Sequence, residues 1–154
     1  MIHLELEPGE AFDVGDEPLA LVPVGGDGRL LVEFFGGHTR RFATFEEGTV
    51  QQARLIAEGG TVSIAAVSGP NTEVRCLRLG SRRIVGEGGS GAELFVFAAA
   101  GELVLRISGE DDPIELTRGG WVEQAAGPRG HDWELRGSGP GTIAAVFERL
   151  TDQT

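Results

Sequence analysis

The sequence predicts an all-β protein of short antiparallel strands arranged as a sandwich or a barrel. Apolar runs alternate with clusters of turn-forming residues along the whole chain. The 25 glycines and seven prolines are scattered rather than clustered, as many tight turns require. With 154 residues, the chain is long enough for one domain or for two closely packed halves.

In the first half, apolar runs predict strands at 19–24, 29–35, 40–45, 49–57 and 61–67. Glycine-rich turns such as Gly25-Gly26-Asp27-Gly28 separate them. The 49–57 segment is assigned as a strand because its apolar residues define no clean helical face. We therefore expect five strands here and no helix.

In the second half, strands are predicted at 74–79, 92–97, 102–107, 114–117, 121–125, 131–135 and 142–147. The run Gly60–Val67 resembles Gly141–Val146, so each half is expected to close with the same kind of strand. Between the halves, Ser68-Gly69-Pro70 gives a turn that is too short for a flexible linker. We therefore expect two halves, 1–70 and 71–154, packed as a single globular unit.

The charge excludes two classes of partner. A net charge of −11 argues against nucleic acid and anionic membranes, because phosphate binding needs a basic face. No apolar segment is long enough to span a membrane, and the N-terminus lacks a charged-then-apolar signal pattern. The expected location is the cytoplasm.

The stretch from Glu93 to Phe147 resembles a cupin in which the metal-binding half of the first motif is missing. Aligning Glu93 with the motif glutamate places Glu87 and Gly89 where metal-dependent cupins carry two histidines. The run Gly-Pro-Arg-Gly-His at 127–131 approximates the second motif. An alternative metal set of Glu87, Glu93 and His131 lacks one ligand of the usual N/O set. We therefore expect neither a metal nor another cofactor.

The junction between the halves resembles the HutD/Ves type of bicupin. In that family a Gly-Pro turn, a strand and paired arginines connect two barrel halves, and this chain keeps Gly69-Pro70 and Arg82-Arg83 at similar spacing. The family's N-terminal Trp-x-Asn-Gly-Gly-Gly stretch has no counterpart between Met1 and Phe12. The resemblance covers 29–150 and implies a cupin-like double-stranded β-helix barrel in two halves, without metal. It also implies a link to histidine utilisation.

Residues near the second motif have the chemistry of a carboxylate site. Arg129 offers a bidentate cation and His131 a hydrogen bond that titrates near neutrality. Trp121 and Trp133 offer flat apolar walls. Arg75 or Arg82 facing inward would anchor an anion, although strand alternation prevents all the arginines of this region from lining one cavity. The predicted ligand-binding residues are His131, Arg129, Trp121, Trp133, Glu123, Arg75 and Arg82.

The sequence therefore predicts a metal-free protein that binds a small carboxylate metabolite and acts as a sensor or modulator. A second hypothesis is a cupin-type isomerase or lyase of a small acid, with His131 and Glu123 as acid and base. A third is an interaction module in which an exposed strand edge or barrel face forms a homodimer. Nucleophilic catalysis lacks support, because no serine elbow or phosphate-cradling loop is present.

Overall fold

The computed structural model describes residues 1–87, 92–125 and 132–150. The regular secondary structure within these ranges consists of β-strands. The chain divides into two compact units, Met1–Val74 and Arg75–Thr154. The prediction that they pack as one globular unit stays a prediction. No helix long and apolar enough to cross a membrane occurs in the described part of the chain.

The first half contains two antiparallel four-stranded sheets, ordered β1-β8-β3-β6 and β2-β7-β4-β5. Its strands are β1 (Ile2–Leu6), β2 (Ala11–Val14), β3 (Leu19–Gly25), β4 (Arg29–Phe34), β5 (Thr39–Phe42), β6 (Gly48–Val50), β7 (Ala53–Glu58) and β8 (Val62–Ser68).

The second half repeats this arrangement strand for strand. Its strands are β9 (Thr72–Arg78), β10 (Arg83–Glu87), β11 (Ala92–Ala100), β12 (Leu103–Ile107), β13 (Ile114–Leu116), β14 (Trp121–Gln124), β15 (Asp132–Gly137) and β16 (Ile143–Leu150). The sheets are ordered β9-β16-β11-β14 and β10-β15-β12-β13, so each strand of the first half has its counterpart eight strands later. The predicted closing strands, β8 and β16, are such a pair.

The duplication extends to irregular features. The pairing of β3 with β8 shifts register between Pro23 and Gly25, and the pairing of β11 with β16 shifts between Ala98 and Ala100. In the second half the glycine that follows the bulge, Gly101, has a φ of 71° and lies against Thr142. A Cβ there would be strained and crowded at once, which explains the glycine.

Each half has its own apolar core between its two sheets. The fully buried residues of the first core are aliphatic apart from Phe42, and include Leu21, Leu30, Leu55 and Ile64. The second includes Val96, Leu105, Leu135 and a tryptophan, Trp133. Burial of these inward-facing rows is the main favourable term for each half. The all-β prediction is therefore confirmed, and the alternation of each strand determines which residues face the core.

The predicted 49–57 strand is wrong in one respect, because the chain breaks it into β6 and β7. Gln52 adopts a φ of 49°, a left-handed conformation that no strand accommodates. Its backbone N–H donates to the Gly15 carbonyl at 2.8 Å instead of to a neighbouring strand. Strands β1, β2 and β10 were not predicted, because their charged residues and glycines weaken the apolar pattern.

The predicted turn between the halves is confirmed. β8 ends at Ser68 and β9 begins at Thr72, with Gly69 and Asn71 both at positive φ. The Thr72 hydroxyl donates to the Gly69 carbonyl at 3.0 Å. Glycine and asparagine tolerate these dihedrals, so the turn signal in the sequence has a direct physical cause.

Candidate functional site

Polar side chains from three strands meet the apolar core at one end of the second half. We call this end, which contains Arg75, Trp133 and Glu148, the inner end. Arg75 shares a strand face with Leu77 and Leu79, which pack on the core. Glu148 shares a face with Ala144 and Val146, which belong to the same core. Strand alternation therefore directs both charged side chains inward, in a half whose core is otherwise apolar.

Trp133 fills the core at this end. Its side chain is 2 % exposed, and the residue pairs with Gly86 on β10 and with Ile107 on β12. A Cβ at Gly86 would overlap the ring atoms Cε2 and Cζ2 of the indole. The indole therefore lies flat on the backbone of β10, and only glycine fits beneath it.

The indole Nε1 of Trp133 is buried and has no hydrogen-bond partner among the described residues. A buried tryptophan N–H normally finds an acceptor, because leaving one unsatisfied costs about 1–3 kcal/mol. Unsatisfied polar groups of this kind are rare in native proteins and call for a physical explanation. This donor is the most unusual feature of the second core.

Arg75 brings a cation to the same ring. Its Cζ lies 5.6 Å from the Trp133 ring centroid, within the range of a cation–π interaction. Its Nη2 donates to Glu148 Oε1 at 3.3 Å. The Arg75 side chain is 50 % exposed and that of Glu148 is 23 % exposed, so this end of the core is reached by solvent. The guanidinium carries five N–H donors, and this ion pair engages one nitrogen.

A row of side chains extends from this pair across the sheet. Leu94 on β11 is directly opposite both Glu148 on β16 and Gln124 on β14. Gln124 is half-buried and lies on the same strand face as Val122, which packs on the core. Together with Arg75 and Trp133, the row combines donors and acceptors around an apolar floor. This composition is typical of small-molecule sites.

Two of the predicted residues lie in this cluster, and others in the described ranges lie elsewhere. Arg75 and Trp133 lie at the inner end. Arg82 instead donates from Nη2 to the Arg78 carbonyl at 2.7 Å, close to its own turn. Trp121 is 44 % exposed and stacks on Phe97, on the face of β14 opposite to Val122. Glu123 is exposed on that strand, next to Trp121.

Of the remaining predicted residues, Glu93 is the one whose side chain the structure describes. Arg129 and His131 lie outside the described residues, and Glu87 is described in its backbone alone. Glu93 forms a two-oxygen pair with Arg149 Nη2, at 3.1 and 3.0 Å. No group of three or more histidine, cysteine, aspartate or glutamate side chains gathers as metal ligands within the described ranges.

Glu148 and Gln124 were not among the residues predicted from the sequence. Glu148 follows the apolar run that closes the chain, and its inward direction depends on the phase of Ala144 and Val146. That phase can be read from the sequence once the strand is extended beyond Phe147. The pairing of Glu148 with Arg75 joins residues 73 positions apart and has no local signal.

Two open cavities lie in the second half. One, of about 450 Å³, is lined by Val104, Glu115, Arg136, Ser138 and neighbouring residues. The other, of about 330 Å³, lies beside the turn that precedes β13 and includes Arg106, Asp111 and Asp132. The lining of the second cavity also includes Ile107 and Trp133, and neither lining includes Arg75 or Glu148.

Comparison with known proteins gives structural matches only. No family model matches the chain, and no curated protein matches it by sequence. The conserved protein of unknown function PA5104 from Pseudomonas aeruginosa PAO1 matches with a TM-score of 0.77 and 12 % identity, over 97 % of this chain and 80 % of its own. HutD from Pseudomonas fluorescens SBW25 matches with a TM-score of 0.67 and 12 % identity, over 97 % and 78 %.

A third match is the protein YhaK from Escherichia coli, with a TM-score of 0.57 and 11 % identity, covering 97 % of this chain and 83 % of its own. These identities are too low to carry over a function, but the matches cover 97 % of this chain, more than the 29–150 range of the sequence resemblance. The chain therefore has the bicupin fold, with two cupin-like halves, and its resemblance to HutD-like bicupins is confirmed at the level of the fold.

Proposed function

We propose that the protein binds a small carboxylate metabolite at the inner end of its second half and acts in the cytoplasm as a sensor or modulator. The observation that carries this proposal is the buried Trp133 Nε1–H without a described acceptor, on an indole whose ring centroid lies 5.6 Å from Cζ of Arg75. A carboxylate oxygen is the strongest acceptor that a small metabolite can offer to both groups.

The energetics favour a ligand that carries a carboxylate group over one that carries none. An acceptor for the Trp133 N–H would recover much of the cost of its desolvation. The guanidinium of Arg75 has donors beyond the one nitrogen that contacts Glu148, and its planar fork matches a carboxylate. Leu94 and the indole provide apolar contact for the rest of a small molecule.

The identity of the metabolite is a separate question. The link to histidine utilisation follows from the resemblance to HutD-like bicupins, and it makes urocanate and formylglutamate natural probes. Arg129 and His131 remain proposed members of the same site on sequence grounds. The site described above does not depend on them, because it is built from residues of β9, β15 and β16.

The proposal is tested by calorimetric titration of metal-stripped protein with a panel of small carboxylates. We expect Arg75→Gln to weaken binding by about tenfold or more, the usual loss for a charge-assisted hydrogen bond. Trp133→Phe keeps an aromatic ring but removes the N–H, and should weaken binding without abolishing it. Arg106→Gln removes an exposed arginine on the outer face of β12 and is the matched control.

Other outcomes would decide among the alternatives. Equal affinity in the wild type and in Arg75→Gln would contradict this location for the site. Binding of divalent metal alone would favour the cupin-type isomerase or lyase, with Glu87, Glu93 and His131 as ligands. If no ligand binds and sedimentation shows a dimer, the interaction module would be the better explanation.

A further inference from the structure

Among the described residues at the inner end of the second half, the charged side chains of Arg75 and Glu148 balance each other. Arg75 contributes one positive charge and Glu148 one negative charge, while Gln124 and Trp133 are neutral. A site built only for an anion would gain from an unbalanced cation. Glu148 faces inward because it shares a strand face with the core residue Val146. We therefore ask what this carboxylate contributes to ligand binding.

The contact between the two groups leaves both incompletely used. It joins Arg75 Nη2 to Glu148 Oε1 at 3.3 Å, longer than the 2.7–2.9 Å typical of charge-assisted hydrogen bonds. The structure records no hydrogen bond from a described residue to the second carboxylate oxygen of Glu148. A ligand can therefore approach both partners without first replacing a strong, two-pronged pair.

A simple carboxylate satisfies only one side of this arrangement. By competing for the guanidinium of Arg75, it draws that group away from Glu148, whose side chain is 23 % exposed. A partly buried carboxylate without its cation is destabilised, since removing one partner of a pair costs more than the pair contributes. The negative charge of Glu148 would also repel the incoming anion.

We infer that the preferred ligand is a small zwitterion such as an amino acid. Its carboxylate accepts from Arg75 and the Trp133 N–H, and its ammonium group donates to Glu148. Every charge then keeps a partner, and Glu148 selects against deaminated analogues. This inference rests on the proposed function, because it assigns a ligand class to the same site.

Pairs of compounds that differ only in the amino group test the inference. Suitable pairs are glutamate with glutarate, histidine with imidazolepropionate, and phenylalanine with phenylpropionate. Calorimetric titration of the wild type should show the amino compound of at least one pair binding about tenfold more tightly than its analogue, the size expected for a hydrogen bond to a charged group. In Glu148→Gln that preference should fall to nearly equal affinity.

The control is Glu115→Gln, which removes an exposed carboxylate on β13, in the other sheet of the same half. It should leave the preference unchanged. If deaminated analogues bind as tightly as the amino compounds, and Arg75→Gln weakens both, the zwitterion inference is wrong and the carboxylate site stands. If neither compound of any pair binds, both proposals are wrong.

Discussion

The two halves share one topology but fill the same position of their cores in opposite ways. In the second half Trp133 is opposite Gly86 on β10 and Ile107 on β12. In the first half the corresponding residue is Ala53, opposite Val14 on β2 and Phe34 on β4. In the second half a tryptophan lies between a glycine and an isoleucine. In the first half an alanine lies between a valine and a phenylalanine. A fixed fold thus constrains the total volume of a layer rather than each residue.

The two halves also differ in the polarity of a second row of residues, on the sheet that contains β11 and β16 in the second half. Leu94 is opposite Glu148 and Gln124, whereas its counterpart Leu19 is opposite Ser68 and Val50. The first half thus carries no charge in this row. The proposed site therefore includes a row that is polar in the second half and uncharged at the corresponding positions Leu19, Ser68 and Val50 of the first.

On the outer faces of the sheets, the ion pair belongs to the first half instead of the second. In the first half Arg41 on β5 bonds both carboxylate oxygens of Glu58 on β7, at 2.8 and 3.2 Å, and so bridges the intervening strand β4. The second half places Glu115 and Ser138 at the corresponding positions, and these cannot form an ion pair. The 450 Å³ cavity lies there.

The largest expected effect comes from exchanging the paired volumes of the second half for those of the first. Trp133→Ala should lower the free energy of unfolding by about 3–5 kcal/mol through loss of burial and a cavity. Gly86→Val should lower it by about 1–3 kcal/mol or more, because the new side chain overlaps the indole.

The double variant restores the pairing of valine with alanine seen in the first half. Urea unfolding followed by circular dichroism should therefore show a loss well below the sum of the single losses. Additive losses would contradict the idea that Gly86 and Trp133 form one packing unit.

A second, smaller effect is expected from the reverse exchange in the first half. Ala53→Trp places an indole against Val14 and Phe34, and overpacking of this kind costs about 1–3 kcal/mol. Adding Val14→Gly should recover part of the loss in the same urea experiment. A failure to recover any stability would show that the layer of the first half cannot accept the arrangement of the second.

The smallest expected effect concerns the bridge between Arg41 and Glu58. The hydrogen bond from Arg41 lowers the pKa of Glu58. A carboxyl whose pKa is lowered by folding stabilises the protein above its ordinary pKa and loses that contribution as pH falls through the folded-state pKa. Both side chains are exposed, so the contribution is small.

Melting temperatures of the wild type and Glu58→Gln, measured from neutral to acidic pH, should differ slightly at neutral pH and converge in acid. Glu115→Gln on the equivalent face of the second half is the control, because the structure records no ion pair between Glu115 and a described residue. A difference that persists in acid would show that the substitution acts through something other than the ion pair.

Most of the strands could be predicted from the sequence, because alternating apolar runs and glycine turns are local signals. The site could be predicted only in part. Arg75 and Trp133 were candidates because of their chemistry, but their proximity depends on the pairing of distant strands. Trp121 was grouped with Trp133, and only the phase of each strand shows that one faces outward and the other into the core.

The positions of the tryptophans have a practical consequence for spectroscopy. The chain contains two tryptophans and no tyrosine, and both indoles belong to the second half. Intrinsic fluorescence of this protein therefore reports on that half alone, while the far-ultraviolet signal of the strands reports on both. Trp121→Phe would leave the buried indole as the single emitter, at the position where we propose that the ligand binds. The protein thus contains its own optical probe of occupancy, and the first half is silent at the same wavelengths.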